Sequence, residues 1–167
     1  HVKEGQCIGF DPWLHTDNEI VHYRKNLPPD AGLSPLEYNP VDALWHDRPA
    51  KQRTAPFTIP LTRAGRSVDD KLADVMASME SKADCLAITL PECVNWLLNV
   101  RGHDITYTPF CLSRALVFKE QGIIHWYLDK SPRQQQTDAE LPVYVQIKDE
   151  ADLAADLNKI VEAGQFL

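Results

Sequence analysis

Residues 84–110 read DCLAITLPECVNWLLNVRGHDITYTPF, two apolar runs followed by an abrupt polar stop. The first run, DCLAITL (84–90), is short and apolar, which predicts a buried strand. Pro91 suits the first position of a helix, where a missing N–H costs nothing. The apolar residues after it predict a helix that ends near Gly102. The segment RGHD (101–104) is then either an ordinary helix stop or the rim of a cleft.

Regular patterns continue on both sides of this segment. Ser67 and Asp70 form a capping signature, and apolar residues at helical spacing predict a helix over 68–80. The runs 110–119 and 122–129 predict a hairpin around Gly122, and 143–149 alternates with the period of a strand. A last helix follows Asp149 and ends at Gly164. The order predicts an α/β fold with a mixed sheet flanked by helices.

The first part of the chain predicts a smaller unit. CIGFDP (7–12) is typical of a strand that enters a turn, and Thr16 with Glu19 forms a capping box for a helix over 17–26. Seven prolines between 28 and 60 predict little regular structure. Residues 46–60 are expected to be an extended linker at a domain boundary. Residues 131–141 are expected to be polar and exposed, and a strand is expected to begin at Gln165.

Composition excludes several classes of function. The chain has 167 residues, 44% of them hydrophobic and 25% charged, with a net charge of −7. Lys and Arg are scattered, which argues against nucleic acid and anionic membrane surfaces as partners. No apolar run is long enough for a transmembrane helix, and no signal peptide is recognisable. Because the chain starts with His1 close to a strand, we expect it to be a piece of a longer polypeptide.

Candidate catalytic and metal-binding residues form no known pattern. Cysteines 7, 85, 93 and 111 contain no C-x-x-C pair, so buried reduced thiols are expected. The histidines include no H-E-x-x-H motif, and His15 and His22 lack a carboxylate that would complete a metal site. A pair such as Cys93 and His103 could meet in space, although a thiol on an apolar helix is usually inert.

The segment RGHD is the exception, because Arg101 and Asp104 follow a buried helix and Gly102 permits a sharp reversal. On physical grounds alone, a helix C-cap with a surface salt bridge is favoured over a role in a cleft.

Four motifs then occur in a fixed order: FDPWLHT, NPVDALWHDRP, AGRSVDDKLADVM and NWLLNVRGHDITYTP. Together they span residues 10–109 and resemble the amino-terminal region of the three-domain Xaa-Pro aminopeptidases, in the creatinase/prolidase group. The resemblance implies two creatinase/prolidase N-terminal-type domains. Residues 1–48 would be the end of the first, 49–63 a linker, and 64–167 the second without its last elements.

The resemblance also implies an activity for the full-length protein, the removal of an N-terminal residue that precedes proline. In the family two metal ions, commonly manganese, activate a water in a carboxyl-terminal domain that this sequence does not contain. No catalytic residue and no metal ligand is therefore expected here, and the expected partners are the chain's own catalytic domain, a peptide with proline at its second position and a second copy in a homodimer.

By position in the family motif, Arg101, Gly102, Asp104 and Tyr107 would wall off the substrate end of the cleft. The sequence departs from the family pattern at His103 and Thr106. The resemblance therefore predicts a non-catalytic part of a cytoplasmic aminopeptidase that shapes its cleft. Two alternatives remain at this point: a free-standing binding module, and a small α/β enzyme that uses Cys93 or His103.

Overall fold

A computed structural model describes residues 2–50, 53–79, 83–129 and 139–164. The chain separates into two compact units, His1–Ala50 and Lys51–Leu167, called unit 1 and unit 2 below. Among the described residues, no helix combines the length and the apolar character needed to cross a membrane. The expectations for residues 131–138 and for a strand from Gln165 lie outside the described residues.

Unit 1 is built on a pair of parallel strands. Strand β1 (Cys7–Phe10) pairs with β2 (Gly32–Pro35), and helix α1 (Asp17–Asn26) connects them. The predicted capping box is present: the Thr16 hydroxyl accepts the Glu19 N–H, and the Glu19 carboxylate accepts the Thr16 N–H at 2.7 Å. Helix α2 (Pro40–Leu44) follows, capped by Asn39. No described residue of this unit is fully buried.

Unit 2 contains a four-stranded mixed sheet. Its strands are β4 (Cys85–Ile88), β6 (Arg114–Phe118), β7 (Ile123–Leu128) and β8 (Val145–Asp149), in the order β4-β6-β7-β8. The first two pairings are antiparallel and the third is parallel. Strands β6 and β7 form the predicted hairpin, and Gly122 in its loop has a φ of 62°. The predicted mixed α/β architecture is confirmed.

Helices cover both faces of this sheet. Helices α4 (Val68–Met79) and α5 (Pro91–Leu98) pack on one face, and α6 (Leu153–Glu162) packs on the other after a 3₁₀ turn over Glu150–Asp152. Strand β7 contributes to a hydrophobic core on each face of the sheet. Ile124, Trp126 and Leu128 belong to the core under α4 and α5, whereas Tyr127 belongs to the core under α6. Because strand side chains alternate between faces, one apolar strand supplies both cores.

The proline-rich region is more ordered than its composition predicts. Within the expected linker, β3 (Phe57–Thr58) pairs antiparallel with β5 (Val100–Arg101), and helix α3 (Leu61–Ala64) follows. The expectation of an extended linker with little regular structure over 46–60 is corrected only at β3. Strands β2 and β5 were also not predicted. These strands consist of two to four residues, so their pairing is set by distant partners and not by a local pattern.

Candidate functional site

Helix α5 ends earlier than predicted. Its last residue is Leu98, and Asn99 caps it in the left-handed conformation, with a φ of 54°. The expected helix end near Gly102 would have made Gly102 the C-cap. The C-cap is Asn99 instead. Asn is one of the few residues apart from glycine that adopts this conformation readily. The segment RGHD thus begins in the short strand β5 and continues into a loop.

Arg101 contacts the end of α5. Its Nη1 donates to the Asn95 carbonyl at 3.3 Å and to the Val100 carbonyl at 2.7 Å. A cation at the C-terminus of a helix is stabilised by the exposed carbonyls there. The expected surface salt bridge between Arg101 and Asp104 is not formed, because the two side chains bind different backbone groups. Arg101 therefore holds β5 against the helix.

Gly102 is buried where two backbone segments approach closely. A Cβ at this position would lie 2.9 Å from both Cα and Cβ of Cys111 and 3.0 Å from its backbone N. These distances are shorter than real Cβ contacts and involve backbone atoms that cannot turn aside. Glycine is thus required by the close approach of residue 111 and not by an unusual φ.

Asp104 joins three stretches of unit 2. The residue is only 8% exposed. Its Oδ1 accepts the Thr54 N–H at 2.7 Å and the Thr54 hydroxyl at 3.0 Å, and its Oδ2 accepts the Leu112 N–H at 2.8 Å. The same Thr54 hydroxyl accepts the His103 N–H at 2.8 Å. Asp104 therefore fastens the linker to the loop that follows β5.

Tyr107 lies at the tip of that loop. Its side chain is fully exposed, and its φ is 62°. The loop is closed beneath it by a hydrogen bond of 3.1 Å from the Thr108 N–H to the Ile105 carbonyl. The structure thus brings Gly102 and Asp104 into packed positions, turns Arg101 toward a helix end and presents Tyr107 to solvent. Whether the four residues border a substrate cleft stays a prediction.

Asp104 also lines a cavity of about 510 Å³, called the arginine cavity below. It lies where β4 ends, where β6 begins and where the 3₁₀ turn follows β8. Its polar lining consists of Arg53, Thr89, Asp104, Ser113, Arg114 and Glu150. The volume lies in the range of small-molecule sites. The sequence analysis did not predict Arg53, Arg114 and Glu150 as site residues. They share no motif, and 97 residues separate Arg53 from Glu150.

A second polar cluster gives several residues of the family motifs a structural role. Lys71 is 1% exposed, its Nζ donates to the Trp96 carbonyl and to Asn99 Oδ1, and it lies 4.7 Å from the centre of the Trp96 ring. Burial lowers the pKa of Lys71, and the neighbouring Arg101 and Arg66 lower it further. Asn99 also donates to the Arg66 carbonyl at 2.9 Å. These motif residues therefore hold α4 to the end of α5.

The residues weighed as nucleophiles do not form a catalytic pair. Cys93 is exposed on α5, and among the described residues it makes no hydrogen bond to an imidazole. The ring of His103 packs on Phe57, with a centroid distance of 5.5 Å. Cys7 is exposed as well, so the expectation of buried thiols holds only for Cys85 and Cys111.

The structure provides no set of metal ligands in the part that it describes. In residues 2–50, 53–79, 83–129 and 139–164, no group of three or more His, Cys, Asp or Glu side chains could hold a metal ion. His15 packs edge-on against Phe10 and Tyr23, at centroid distances of 6.2 and 5.8 Å. The described residues therefore do not fit a two-metal centre.

Comparison with known proteins identifies the family. The family model of the Creatinase/Prolidase N-terminal domain matches residues 47–167. The chain belongs to this family. The matched range contains all of unit 2 and confirms the resemblance carried by the sequence motifs. In this domain Lys71 of α4 donates to Asn99 at the end of α5, and Asp104 accepts hydrogen bonds from Thr54 and Leu112.

Similar proteins carry aminopeptidase names. A probable Xaa-Pro aminopeptidase P of Aspergillus niger is 32% identical over 165 residues, which is 97% of this chain and 26% of the relative. Aminopeptidase P1 of Lotus japonicus is 33% identical over 131 residues, which is 77% of this chain and 20% of the relative. The chain thus spans about a quarter or less of the length of these relatives.

A solved structure shows the same fold. The X-prolyl aminopeptidase of Caenorhabditis elegans, described as a cytosolic enzyme with a di-nuclear active site, is 25% identical, with a TM-score of 0.79. The likeness covers 98% of this chain and 27% of that enzyme. Both units therefore have counterparts in one aminopeptidase chain.

Proposed function

We propose that this chain is the non-catalytic amino-terminal part of an Xaa-Pro aminopeptidase, an enzyme that removes an N-terminal residue preceding proline. One observation carries the proposal: nearly the whole chain matches proteins named as aminopeptidases, yet it spans only about a quarter of their length. The remainder of such a protein would supply the catalytic domain, which is the first partner of this chain.

The metal chemistry is assigned to that other part. Two divalent metal ions, with manganese as the expected metal, would activate the attacking water there. The related enzyme of Caenorhabditis elegans is described as di-nuclear, whereas the described residues of this chain do not fit such a centre. The chain by itself is therefore expected not to hydrolyse peptides.

The role of unit 2 is to shape the substrate end of the cleft. Supporting this, Asp104 lines the arginine cavity and fixes the loop that carries Tyr107. Gly102 and Arg101 keep the base of that loop close to Cys111 and to the end of α5. In this proposal Arg101, Gly102 and Asp104 are positioning residues, and Tyr107 is the side chain that faces the peptide.

Unit 1 is proposed to contribute to assembly. It exposes large apolar side chains, among them Trp13, Leu14 and Leu44, which are 88%, 67% and 78% exposed. Exposed apolar surface of this kind marks contact regions. Contacts with the rest of the longer protein, or with a second copy in a homodimer, would cover it. The similarity to an enzyme described as cytosolic supports a cytoplasmic location.

The test is hydrolysis of an Xaa-Pro peptide with added manganese, by this chain and by the longer product of the same gene. Activity only in the longer product is the expected result. Activity of the chain alone would contradict the assignment of chemistry to another domain. If the gene encodes nothing beyond this chain and no hydrolysis occurs, the free-standing binding module is the correct interpretation.

Cys93→Ala tests the remaining alternative, a small α/β enzyme that uses Cys93 or His103. Because the thiol is exposed on α5 and has no imidazole partner among the described residues, the substitution is expected to leave hydrolysis by the longer product unchanged. Loss of activity in this variant would support a thiol-dependent enzyme instead.

A further inference from the structure

We propose that Tyr107 determines specificity through a contact between its ring and the part of a peptide substrate that follows the prolyl residue. That the ligand is a peptide rests on the proposed function; that the ring serves a ligand rests on the conformation of the loop. The side chain is fully exposed, and its backbone adopts a conformation that glycine would adopt more easily.

Tyr107 occupies a turn position that usually requires glycine. The central residues of the turn 105–108 are Thr106 and Tyr107, and the Thr108 N–H closes the turn on the Ile105 carbonyl at 3.1 Å. The φ of Tyr107 is 62°, whereas that of Thr106 is not positive. These signs are those of a type II turn, whose second central residue is normally Gly or Asn. A bulky side chain at this position is strained.

The other left-handed positions of the described chain follow this preference. Outside Tyr107, each described residue with a positive φ is Gly or Asn: Gly5, Gly65, Asn99, Gly122 and Gly164. Because the side chain of Tyr107 is 103% exposed, it buries no surface that would offset the strain. A strained and exposed aromatic side chain therefore indicates a residue that acts on a partner outside the fold.

The loop holds the ring in a defined position. The Gly102 N–H donates to the Pro109 carbonyl at 3.4 Å, and the Asp104 N–H donates to the Phe110 carbonyl at 3.2 Å. The carboxylate of Asp104 also accepts the Leu112 N–H at 2.8 Å. These bonds join the two sides of the loop below the turn. An aromatic residue on such a preorganised loop loses little conformational entropy when it binds a ligand.

The tip of the loop carries no charge. Residues 105–110 are Ile, Thr, Tyr, Thr, Pro and Phe, and Ile105 in the same turn is 41% exposed. An uncharged tip with an aromatic ring suits an apolar side chain of the peptide, and an aromatic one best, because two rings pack in offset-stacked or edge-to-face arrangements.

The position of the cleaved bond selects the part of the peptide that reaches Tyr107. That bond precedes the prolyl residue and, under the proposed function, lies at a metal centre in another part of the longer protein. Only one residue precedes the bond, whereas each residue after proline extends the reach of the peptide by about 3.5 Å. A contact with a loop away from the metal centre therefore involves residues that follow proline.

The experiment measures cleavage of Ala-Pro amide and of Ala-Pro-Phe-Ala amide by the longer product of the same gene, with added manganese. Tyr107→Gly is expected to raise KM for the tetrapeptide about fivefold, the loss of one aromatic contact, and to leave kcat unchanged. KM for Ala-Pro amide should stay the same. Equal changes for the two peptides, or an unchanged KM for the tetrapeptide, would overturn the proposal.

Two further variants are the matched controls. Tyr107→Phe keeps the ring and should restore the tetrapeptide KM of the unaltered protein. Tyr38→Ala removes another exposed tyrosine, which is 70% exposed in unit 1, and should change KM for neither peptide. If Tyr107→Phe has the same KM values as Tyr107→Gly, the ring is not the group that contacts the peptide, and the proposal is wrong.

Unfolding in urea separates a role in binding from a role in the fold. Because glycine adopts a positive φ without strain, Tyr107→Gly should raise the urea midpoint of the 167-residue chain. A lower midpoint would show that the ring stabilises the fold, and the proposal would be overturned.

The kinetic result also distinguishes this proposal from the proposed function. If the longer product cleaves neither peptide, the proposed function is wrong and the peptide contact with it. If it cleaves both peptides and Tyr107→Gly behaves like Tyr38→Ala, only the role of Tyr107 is wrong.

Discussion

Asp104 and Thr54 are separated by 50 residues in sequence, yet Asp104 Oδ1 accepts both the backbone N–H and the hydroxyl of Thr54. The other carboxylate oxygen accepts the Leu112 N–H. One buried carboxylate thus connects the segment before β3 with the segment before β6. This contact turns a proline-rich stretch into an ordered part of unit 2, and it fixes the base of the loop that carries Tyr107.

Asp104→Asn is expected to destabilise unit 2 by about 2 kcal/mol, the cost of a buried donor without an acceptor. The amide can accept the Thr54 donors with its oxygen, but its NH₂ group then faces the Leu112 N–H. Native-state hydrogen exchange of the core amides of β6 measures the loss. The control is Asp74→Asn, whose 63%-exposed side chain pairs with Arg66 at 2.8 Å and should cost less than about 1 kcal/mol. Equal losses would show that Asp104 has no special role.

Gly102→Ala is expected to push the segment around Cys111 away from β5, because the new methyl would lie 2.9 Å from Cα of Cys111. Overpacking of this kind typically costs about 1–3 kcal/mol. Amide shifts should spread over residues 101–112. Gly122→Ala meets no atom within 4 Å but is strained by its φ of 62°, and it should shift only the β6–β7 hairpin. Unchanged amides around Cys111 in the Gly102 variant would contradict the close approach.

The four thiols should divide into two classes. Cys7 and Cys93 are exposed, whereas Cys85 and Cys111 are fully buried. Burial raises the pKa of Cys85 to about 11 and, with help from the charge of Asp104, that of Cys111 to about 12. Because the thiolate is the reactive form, DTNB should modify two thiols rapidly in the native chain and four after unfolding.

Two variants test this division into exposed and buried thiols. Cys93→Ala should reduce the rapid class to one thiol, and Gly102→Ala should increase the labelling rate of Cys111 by loosening its surroundings. Rapid modification of three or four thiols in the unaltered chain would show that the described burial of Cys85 or Cys111 is incorrect.

Stability should depend on pH through Asp156 on α6. Its carboxylate accepts hydrogen bonds from Lys159 Nζ and from the buried Tyr127 hydroxyl, both at 2.9 Å. The Lys159 contact first and the Tyr127 contact second lower the pKa of Asp156 below its ordinary value. A lowered pKa of a carboxyl group stabilises the fold above the unfolded pKa of about 4, and this contribution is lost as the pH falls through the folded pKa.

The chain should therefore be more stable than Asp156→Asn at pH 7, and the difference should shrink as the pH falls below about 4. Urea unfolding at a series of pH values measures the difference. Tyr127→Phe should raise the pKa of Asp156 in an NMR titration, because it removes one donor. Glu162→Gln, at the exposed end of α6, is the control and should show no such pH dependence. A difference that grows on acidification would reverse the expected sign.

Long periodic segments could be predicted from the sequence because their signals are local. Helix α1 was predicted with both of its bounds, since the Thr16–Glu19 capping box and Pro28 mark its ends within the chain itself. The β6–β7 hairpin was predicted from two apolar runs around Gly122. The strands β2, β3 and β5 were not, because two to four residues carry no periodicity that distinguishes a strand from an extended linker.

The residues of the candidate site could likewise be predicted only where the signal was local in the sequence. The sequence drew attention to RGHD, and the motifs in order indicated the family that the comparison confirmed. The interpretation of Arg101 and Asp104 as a surface pair was wrong, because their partners, the carbonyl of Asn95 and the donors of Thr54 and Leu112, come from other elements. No spacing rule joins such partners.

The sequence by itself therefore determined the α/β class, the main helices and strands of the sheet, and the family. These depend on apolar periodicity, caps and motif order, which are properties of neighbouring residues. Only the tertiary structure decided that Lys71 and Arg101 hold the end of α5, that Asp104 fastens the linker, and that Arg53 and Arg114 share one cavity with Glu150. Each of these pairings joins distant residues whose hydrogen bonds and charges are satisfied only after the chain has folded.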